Sequence, residues 1–263
     1  MDKPVALITG ASSGIGKAAA GLFLEKGYRV YGLSRSPYES GSVHHIPTDV
    51  ANAQSVQQAV TTVIQETGRI DLLVCNAGFG ISGAIEFTQP EAAHRQFDVN
   101  FFGSLHCIQA VVPYMRAQKS GCILVVSSVA AVLPIPFQGL YSAAKAALNA
   151  LAAALANEVR PYHIRVAALM PGDIRTGFTA ARQKSFSGLA AYPAMKRSVA
   201  SMERDESSGM APAAIARALY RLSQRKRLKP LYTAGLQYHL FCMIQKLCPG
   251  SLVNRLLGLL YAR

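Results

Sequence analysis

The chain has 263 residues, 51% of them apolar, and a formal net charge of +13. This length suffices for one large α/β domain with a full core, and the composition excludes a disordered or low-complexity protein. Five scattered cysteines without the paired spacing of a metal site are typical of reduced thiols in a cytoplasmic protein. We therefore expect one domain over residues 1–263, without a metal.

The first element is an apolar run at residues 4–9 (PVALIT), which predicts a buried strand without the pattern of a signal peptide. A glycine-rich stretch and a helical pattern follow it. Glycines let the backbone turn tightly and approach a pyrophosphate, which then lies at the amino end of the helix. A plain turn could use the same glycines, but the place between a first strand and a first helix favours a nucleotide-binding loop. Its residues are Gly10, Ser12, Ser13, Gly14, Ile15 and Gly16.

Further apolar runs alternate with helical patterns along the chain. The runs lie near residues 28–33, 44–50, 70–75, 122–126, 163–172 and 231–234, and a helix is predicted over 97–115. This alternation predicts an α/β fold, a Rossmann-like doubly wound parallel sheet of about seven strands with helices on both faces.

The most informative stretch runs from Ser128 to Lys145. Ser128 follows the apolar run CILVV, so its hydroxyl should face the ligand crevice at the carboxyl ends of the strands. Tyr141 and Lys145 are four residues apart in a predicted helix and share a face. A neighbouring ammonium lowers the pKa of a phenol from its usual ~10. Such a tyrosine can act as a general acid or base, although the spacing alone also fits two surface residues.

Taken together and in this order, these motifs resemble the short-chain dehydrogenase/reductase family. The resemblance covers about residues 3–176 and includes TGASSGIG, Asn76-Ala77-Gly78, Ser128 and the Tyr-x-x-x-Lys pair. The chain looks closest to the members that act as hydroxysteroid and retinol dehydrogenases. The resemblance implies hydride transfer between a nicotinamide cofactor and an alcohol or carbonyl substrate.

The resemblance also implies a catalytic set. Ser128 would hydrogen-bond the substrate carbonyl, Tyr141 would exchange the proton, and Lys145 would lower the Tyr141 pKa and hold the nicotinamide ribose. Asn100, a poor residue for mid-helix, would bend its helix and hold a water near Lys145. A buried structural asparagine is the alternative for Asn100.

Other residues are implied as cofactor contacts. Asp49 and Val50 would border the adenine, although Asp49 could equally cap the next helix. The remaining contacts would be Asn76, Ala77, Gly78, Tyr141, Lys145, Pro171, Gly172, Ile174 and Thr176.

The end of the second strand bears on which nicotinamide cofactor is used. NAD-binding relatives carry an acid there, whereas this chain carries Arg35, a cation suited to a 2′-phosphate. We expect NADP(H) to be preferred over NAD(H), although a solvated loop arginine is the alternative and Ser13 is not basic.

The substrate region has an apolar composition. Residues 79–81 (FGI), 132–137 (VLPIPF) and an irregular segment at 177–209, in the position of a substrate lid, supply apolar and aromatic side chains. We expect a bulky apolar alcohol, ketone or aldehyde, such as a steroid, a retinoid or another lipid.

The C-terminal tail, about residues 236–263, predicts two short apolar-faced helices. Pro249-Gly250 separates them, and Ser251 is expected to cap the second. They could pack on their own domain or on a second subunit of a homodimer or homotetramer. Alternatively they could lie on an anionic membrane, because nine Lys or Arg and no acid follow Glu206.

Two competing functions remain open. One is an idle NADP(H)-binding sensor or scaffold, which should lack Ser128, Tyr141 or Lys145. The other is a basic membrane- or nucleic-acid-binding protein, which leaves the order of the chemical groups unexplained. We expect a cytoplasmic enzyme, peripheral at a membrane at most, with no nucleic-acid partner.

Overall fold

A parallel sheet of seven strands forms the centre of the protein, for which a computed structural model describes residues 3–38 and 41–262. A second, two-stranded sheet pairs Ile81–Ser82 with Gln183–Lys184. The strands are β1 (Val5–Thr9), β2 (Arg29–Ser34), β3 (His44–Pro47), β4 (Leu72–Cys75), β5 (Ile81–Ser82), β6 (Gly121–Val126), β7 (Ile164–Pro171), β8 (Gln183–Lys184) and β9 (Leu231–Ala234).

The order of the strands places a ligand crevice beside β1. In the main sheet the order is β3-β2-β1-β4-β6-β7-β9, and every neighbouring pair is parallel. The chain runs outward from β1 to β3 and then returns to lay β4 on the other side of β1. Ligands bind at the carboxyl ends of the strands at such a reversal. The predicted doubly wound sheet is confirmed.

Helices cover both faces of the sheet. They are α1 (Gly14–Glu25), α2 (Ala53–Thr67), α3 (Pro90–Phe97), α4 (Gly103–Gln118), α5 (Gly139–Glu158), α6 (Phe178–Ala181), α7 (Ala194–Ser207), α8 (Pro212–Ser223), α9 (Leu236–Leu247) and α10 (Gly250–Tyr261). Alternate side chains of β6 point to opposite cores. Ile123 and Val125 join the core with α2, α4 and α5, whereas Leu124 and Val126 join the core with α1 and α8.

Two predicted segments differ from the sequence expectation. The helix expected over 97–115 is interrupted by a π-helical turn at Asp98–Phe102, which contains Asn100, the residue expected to bend the helix. The segment 177–209 is not irregular throughout, because it contains α7, whose buried face is formed by Met195, Val199 and Met202. The polar residues between these apolar positions hid the helical period in the sequence.

The tail forms the two expected helices, α9 and α10, on either side of Pro249. The expectation that Ser251 caps α10 is wrong, because the helix begins one residue earlier, at Gly250. Within the described part of the chain, no helix combines the length and apolar character needed to cross a bilayer.

Candidate active site

A cavity of about 460 Å³ opens at the carboxyl ends of the parallel strands. Most of the site residues expected from the sequence line it, although Asn100 and Gly16 lie behind its wall. The expected residues that line it are Gly10, Ser12, Ser13, Gly14, Ile15, Arg35, Asp49, Val50, Asn76, Ala77, Gly78, Ser128, Tyr141, Lys145, Pro171, Gly172, Ile174 and Thr176.

The turn between β1 and α1 has the shape of a phosphate-binding loop. Gly10 and Gly14 adopt left-handed conformations, with φ of +66° and +53°. A Cβ on Gly16 would lie 2.1 Å from the carbonyl oxygen of Gly10, so only glycine fits there. No side chain caps the amino end of α1. Its free N–H groups and positive dipole end therefore fit a dinucleotide pyrophosphate.

Residues after β2 and β3 form the far end of the cavity. Arg35 is exposed there, directly after Ser34 at the end of β2. Asp49 accepts a hydrogen bond from the main-chain N–H of Ala51 (3.0 Å), which makes a turn ahead of α2. The cap of α2 is Asn52, so the alternative assignment of Asp49 as the helix cap is wrong.

The Asn76-Ala77-Gly78 turn joins β4 to β1 beside the glycine-rich loop. The Asn76 side chain donates to the carbonyl of Thr9 (3.0 Å), and the main-chain N–H groups of Asn76 and Ala77 both donate to the Thr9 hydroxyl (2.9 Å each). Thr9 was not singled out in the sequence, because its partners lie on another strand. These bonds hold the two strand ends together at the point where the chain reverses.

Asn100 is fully buried in the π-helical turn, and its side chain holds the loop that follows β4. Its Oδ1 accepts from the main-chain N–H of Phe79, and its Nδ2 donates to the Phe79 carbonyl, each at 2.9 Å. Gly78 lies against this amide, where an added Cβ would be 3.0 Å from Oδ1 and 3.8 Å from Lys145 Nζ. Asn100 is therefore a structural link between the π-helical turn ahead of α4 and the loop that borders the cavity.

Ser128, Tyr141 and Lys145 meet at the centre of the cavity. Ser128 follows β6 and its Oγ accepts from the Ala130 N–H (3.1 Å). Lys145 is 4% exposed, and its Nζ donates to the carbonyl of Val126 (2.8 Å) and lies 5.6 Å from the centre of the Tyr141 ring. The shared helical face predicted from the sequence thus places the ammonium beside the phenol.

The pKa of Tyr141 shifts in the direction opposite to the sequence expectation. Burial raises it to about 12, and the hydrogen bond with Ser128 opposes the shift. Burial likewise lowers the pKa of Lys145 to about 8. The expected net lowering of the Tyr141 pKa is wrong, because desolvation of the phenol raises the pKa more than the hydrogen bond with Ser128 and the positive charge of Arg182 lower it. At neutral pH the phenol is protonated, the form that can give a proton.

Acidic side chains that sequence reasoning missed also line the cavity. Asp173 and Glu206 come from the ends of β7 and α7, and both raise the pKa of Tyr141. Glu206 pairs with Arg182, whose side chain is fully buried, and accepts from the Thr179 hydroxyl (2.5 Å). Burial raises the pKa of the Asp173 carboxyl. The sequence offered no signal for this group, because only the tertiary fold brings it together.

The apolar wall is smaller than the sequence suggested. Of the two runs expected to form it, only Phe79 and Ile135 are among the described residues that line the cavity. From the expected lid, Phe178 lines the cavity with its ring centre 5.6 Å from that of Tyr141, joined by Met202 of α7. The wall beside Tyr141 is therefore apolar on one side and acidic on the other.

Comparison with known proteins agrees with this architecture. The family model for short chain dehydrogenase matches residues 4–187. A 3-ketodihydrosphingosine reductase of Bacteroides thetaiotaomicron is 40% identical over 270 residues, which cover 100% of this chain and 99% of that protein. A short-chain dehydrogenase from Streptomyces avermitilis has a TM-score of 0.82 at 30% identity, covering 94% of this chain and 95% of that one. A short chain dehydrogenase/reductase from Burkholderia phymatum, in complex with NAD, has a TM-score of 0.80 at 25% identity, covering 94% of this chain and 92% of that one.

Proposed function

The chain belongs to the short-chain dehydrogenase family, and on that premise we propose that it transfers a hydride between NADP(H) and a bulky apolar alcohol or carbonyl substrate. The family assignment makes it an oxidoreductase for alcohol- or ketone-type substrates on a fold that binds NAD(P). The observation that carries the proposal is the placing of Ser128, Tyr141 and Lys145 in the same cavity as the glycine-rich loop.

In the proposed reduction, each side chain has one task. Ser128 Oγ donates a hydrogen bond to the carbonyl oxygen of the substrate and orients it. Tyr141, protonated at neutral pH because burial raises its pKa, gives its phenolic proton to that oxygen. The nicotinamide ring supplies the hydride when it is bound. Lys145 and a water held near Asn100 return a proton to Tyr141 from solvent.

The cofactor would lie along the cavity. Residues 10–16 are proposed to hold the pyrophosphate, Asp49 and Val50 the adenine, and Lys145 the nicotinamide ribose. Asn76, Ala77 and Gly78 would border the cofactor, and Pro171, Gly172, Ile174 and Thr176 would close the nicotinamide end. Arg35 favours NADP(H), because an exposed guanidinium that lines the cavity at this strand end suits a 2′-phosphate.

Among bulky apolar substrates, a long-chain lipid ketone is the best supported. The 40% identical relative is named for 3-ketodihydrosphingosine, a long-chain ketone with an amino group on the adjacent carbon. Asp173 and Glu206 line the cavity beside Tyr141, where an ammonium group would meet the carboxylate of Asp173, since both oxygens of Glu206 already accept from Arg182 and Thr179. Steroid and retinoid substrates offer no cation for these acids.

We further propose that the protein is a cytoplasmic homodimer or homotetramer that is peripheral at a membrane surface at most. It would use no metal and bind no nucleic acid. An idle NADP(H)-binding scaffold is disfavoured, because Ser128, Tyr141 and Lys145 are all present and grouped.

The test is the oxidation of NADPH, followed by its absorbance, with a panel of carbonyl compounds. The panel contains 3-ketodihydrosphingosine, its analogue without the amino group, a steroid ketone, retinal and a small hydroxy-ketone sugar. We expect turnover of the amino ketone and slower turnover of the analogue. Turnover of the sugar alone would contradict the substrate class, and cofactor binding without any turnover would favour the scaffold.

A further inference from the structure

The two tail helices turn apolar side chains toward solvent. Ten large hydrophobic residues of α9 and α10 are 38% to 88% exposed, which is the reverse of the usual orientation of an amphipathic helix. We call this surface the tail face. It consists of Leu236, Leu240, Phe241, Met243, Ile244, Leu247, Leu252, Leu256, Leu259 and Leu260.

The tail face points outward because the opposite faces of both helices are already fastened to the domain. Tyr238 and Cys242 of α9 are buried, and the Tyr238 hydroxyl donates to Asp173 (2.5 Å). On α10, Tyr261 is half-buried and its hydroxyl donates to Asp205 (3.4 Å). Packing of the tail on its own domain, one alternative from the sequence, therefore applies to the inner faces and leaves the tail face uncovered.

The charges at the border of the tail face identify its partner. Exposed Lys246 and Arg255 lie beside the outward apolar positions of α9 and α10, and no acid follows Glu206. Cations that border an apolar helix face are the pattern of a helix lying in a membrane interface, where they meet anionic headgroups. A second copy, joined by a two-fold axis on the same patch, would bring this cationic rim near its own equivalent.

The basic segment before β9 does not belong to this surface. Arg225, Lys226, Arg227 and Lys229 lie at the amino end of β9, whereas α9 begins just beyond its carboxyl end. The sequence had grouped these cations with the tail. The structure places these cations and the tail helices at opposite ends of β9, and this separation supplies a matched control.

We propose that the tail face docks on an anionic lipid bilayer and holds the mouth of the active-site cavity at the membrane surface. Tyr261 of α10 lines the cavity, and so does Asp173, which holds Tyr238 of α9. Docking therefore puts the cavity next to the bilayer. A lipid substrate, as in the proposed function on which this part rests, could then enter without crossing water.

The experiment is sedimentation of the full-length protein with vesicles of phosphatidylcholine and phosphatidylserine in equal amounts, and with phosphatidylcholine alone. We expect binding to the anionic vesicles that weakens with salt. Lys246→Glu with Arg255→Glu should lower the partition coefficient at least ~10-fold, since each cation contributes about 1 kcal/mol. Lys226→Glu with Arg227→Glu makes the same change in net charge at the amino end of β9 and should leave binding nearly intact.

A second pair of variants tests the apolar part. Leu240→Asn with Ile244→Asn removes outward side chains and should abolish vesicle binding, whereas Ile85→Asn, an exposed isoleucine outside the tail, should not. Equal loss of binding in the two charge variants would overturn the proposal. A second result would also overturn it: the parent protein does not bind vesicles and is a dimer, and Leu240→Asn with Ile244→Asn converts this dimer into monomers.

Docking and catalysis fail separately in these measurements. Oxidation of NADPH with a shortened, water-soluble analogue of 3-ketodihydrosphingosine that keeps the amino ketone, in the absence of vesicles, reports on the proposed reaction alone. Vesicle binding with no such turnover would refute the proposed reaction and support the docking surface. Turnover with no vesicle binding would refute the docking surface and support the proposed reaction.

Discussion

Lys145 Nζ lies 5.6 Å from the centre of the Tyr141 ring, one helical turn away on the same face of α5. Its ammonium donates to the Val126 carbonyl at the end of β6 (2.8 Å), which fixes it beside the phenol. Both groups are removed from water, and burial shifts their pKa values in opposite directions, Tyr141 up and Lys145 down. The pair therefore consists of a protonated acid and a cation that is costly to bury.

Lys145 makes the stability of the cofactor-free protein depend on pH. Its pKa is lowered from 10.5 to about 8 by burial, so the unfolded chain binds the extra proton between these values. The free-energy cost of burying the Lys145 ammonium is complete below about pH 8. It is lost as the pH rises toward 10.5, so the folded protein becomes more stable over this range. In urea unfolding over this range, the free energy of unfolding of the parent should rise by on the order of 1–3 kcal/mol relative to that of Lys145→Met. Parallel pH profiles for the two proteins would argue against a buried ammonium.

Replacing Arg35 should change the choice of cofactor. Loss of a charge-assisted contact with the 2′-phosphate should raise the KM for NADPH by ~10–100-fold in Arg35→Ala, with little change for NADH. Arg35→Asp should go further and prefer NADH, because the phosphate then meets a like charge. Steady-state kinetics with both cofactors measure this, and Arg221→Ala, outside the cavity, is the control. An equal rise in KM for NADPH and NADH in Arg35→Ala would contradict a contact between Arg35 and the 2′-phosphate.

Asn100 should matter for stability as well as for turnover. Asn100→Ala leaves the main-chain N–H of Phe79 without its partner in a partly buried place, whereas the Phe79 carbonyl keeps the hydrogen bond that Gln96 Nε2 donates (2.7 Å). Since one group loses its only partner, the free energy of unfolding should fall by roughly 1–3 kcal/mol. The exposed Asn157→Ala in α5 should cost less than ~0.5 kcal/mol by the same denaturation measurement. A similar cost for both variants would mean that the Phe79 link is unimportant.

Two glycines of α1 should respond oppositely to the same substitution. A Cβ on Gly16 would meet the Gly10 carbonyl at 2.1 Å, whereas a Cβ on Gly21 has no heavy atom within 4 Å. Gly21→Ala should stabilise the protein by about 0.5–1 kcal/mol through helix propensity. Gly16→Ala should distort the loop and abolish NADPH binding, which fluorescence titration can follow. Normal NADPH affinity in Gly16→Ala would refute the proposed phosphate loop.

The sequence predicted what depends on local pattern. The strand–helix alternation predicted the seven-stranded sheet, and the spacing of Tyr141 and Lys145 predicted their common face. The resemblance implied a bend at Asn100, but its form, a π-helical turn, could not be predicted, because the partner of Asn100 is the main chain of Phe79 in a separate loop. Sequence reasoning gave the wrong direction for the Tyr141 pKa, because the burial that raises this value comes from tertiary packing. Asp173 and Glu206 belong to different elements and meet only in the folded cavity.

The most direct test of the central claim is the single-turnover oxidation of bound NADPH by 3-ketodihydrosphingosine in Tyr141→Phe. This change keeps the ring that packs on Phe178 and removes the transferable proton. The rate should fall at least ~10²-fold, while the dissociation constant for NADPH stays close to that of the parent. Tyr192→Phe, which removes an exposed hydroxyl in the lid segment, should keep the parental rate. A parental rate in Tyr141→Phe would contradict the assignment of Tyr141 as the proton donor.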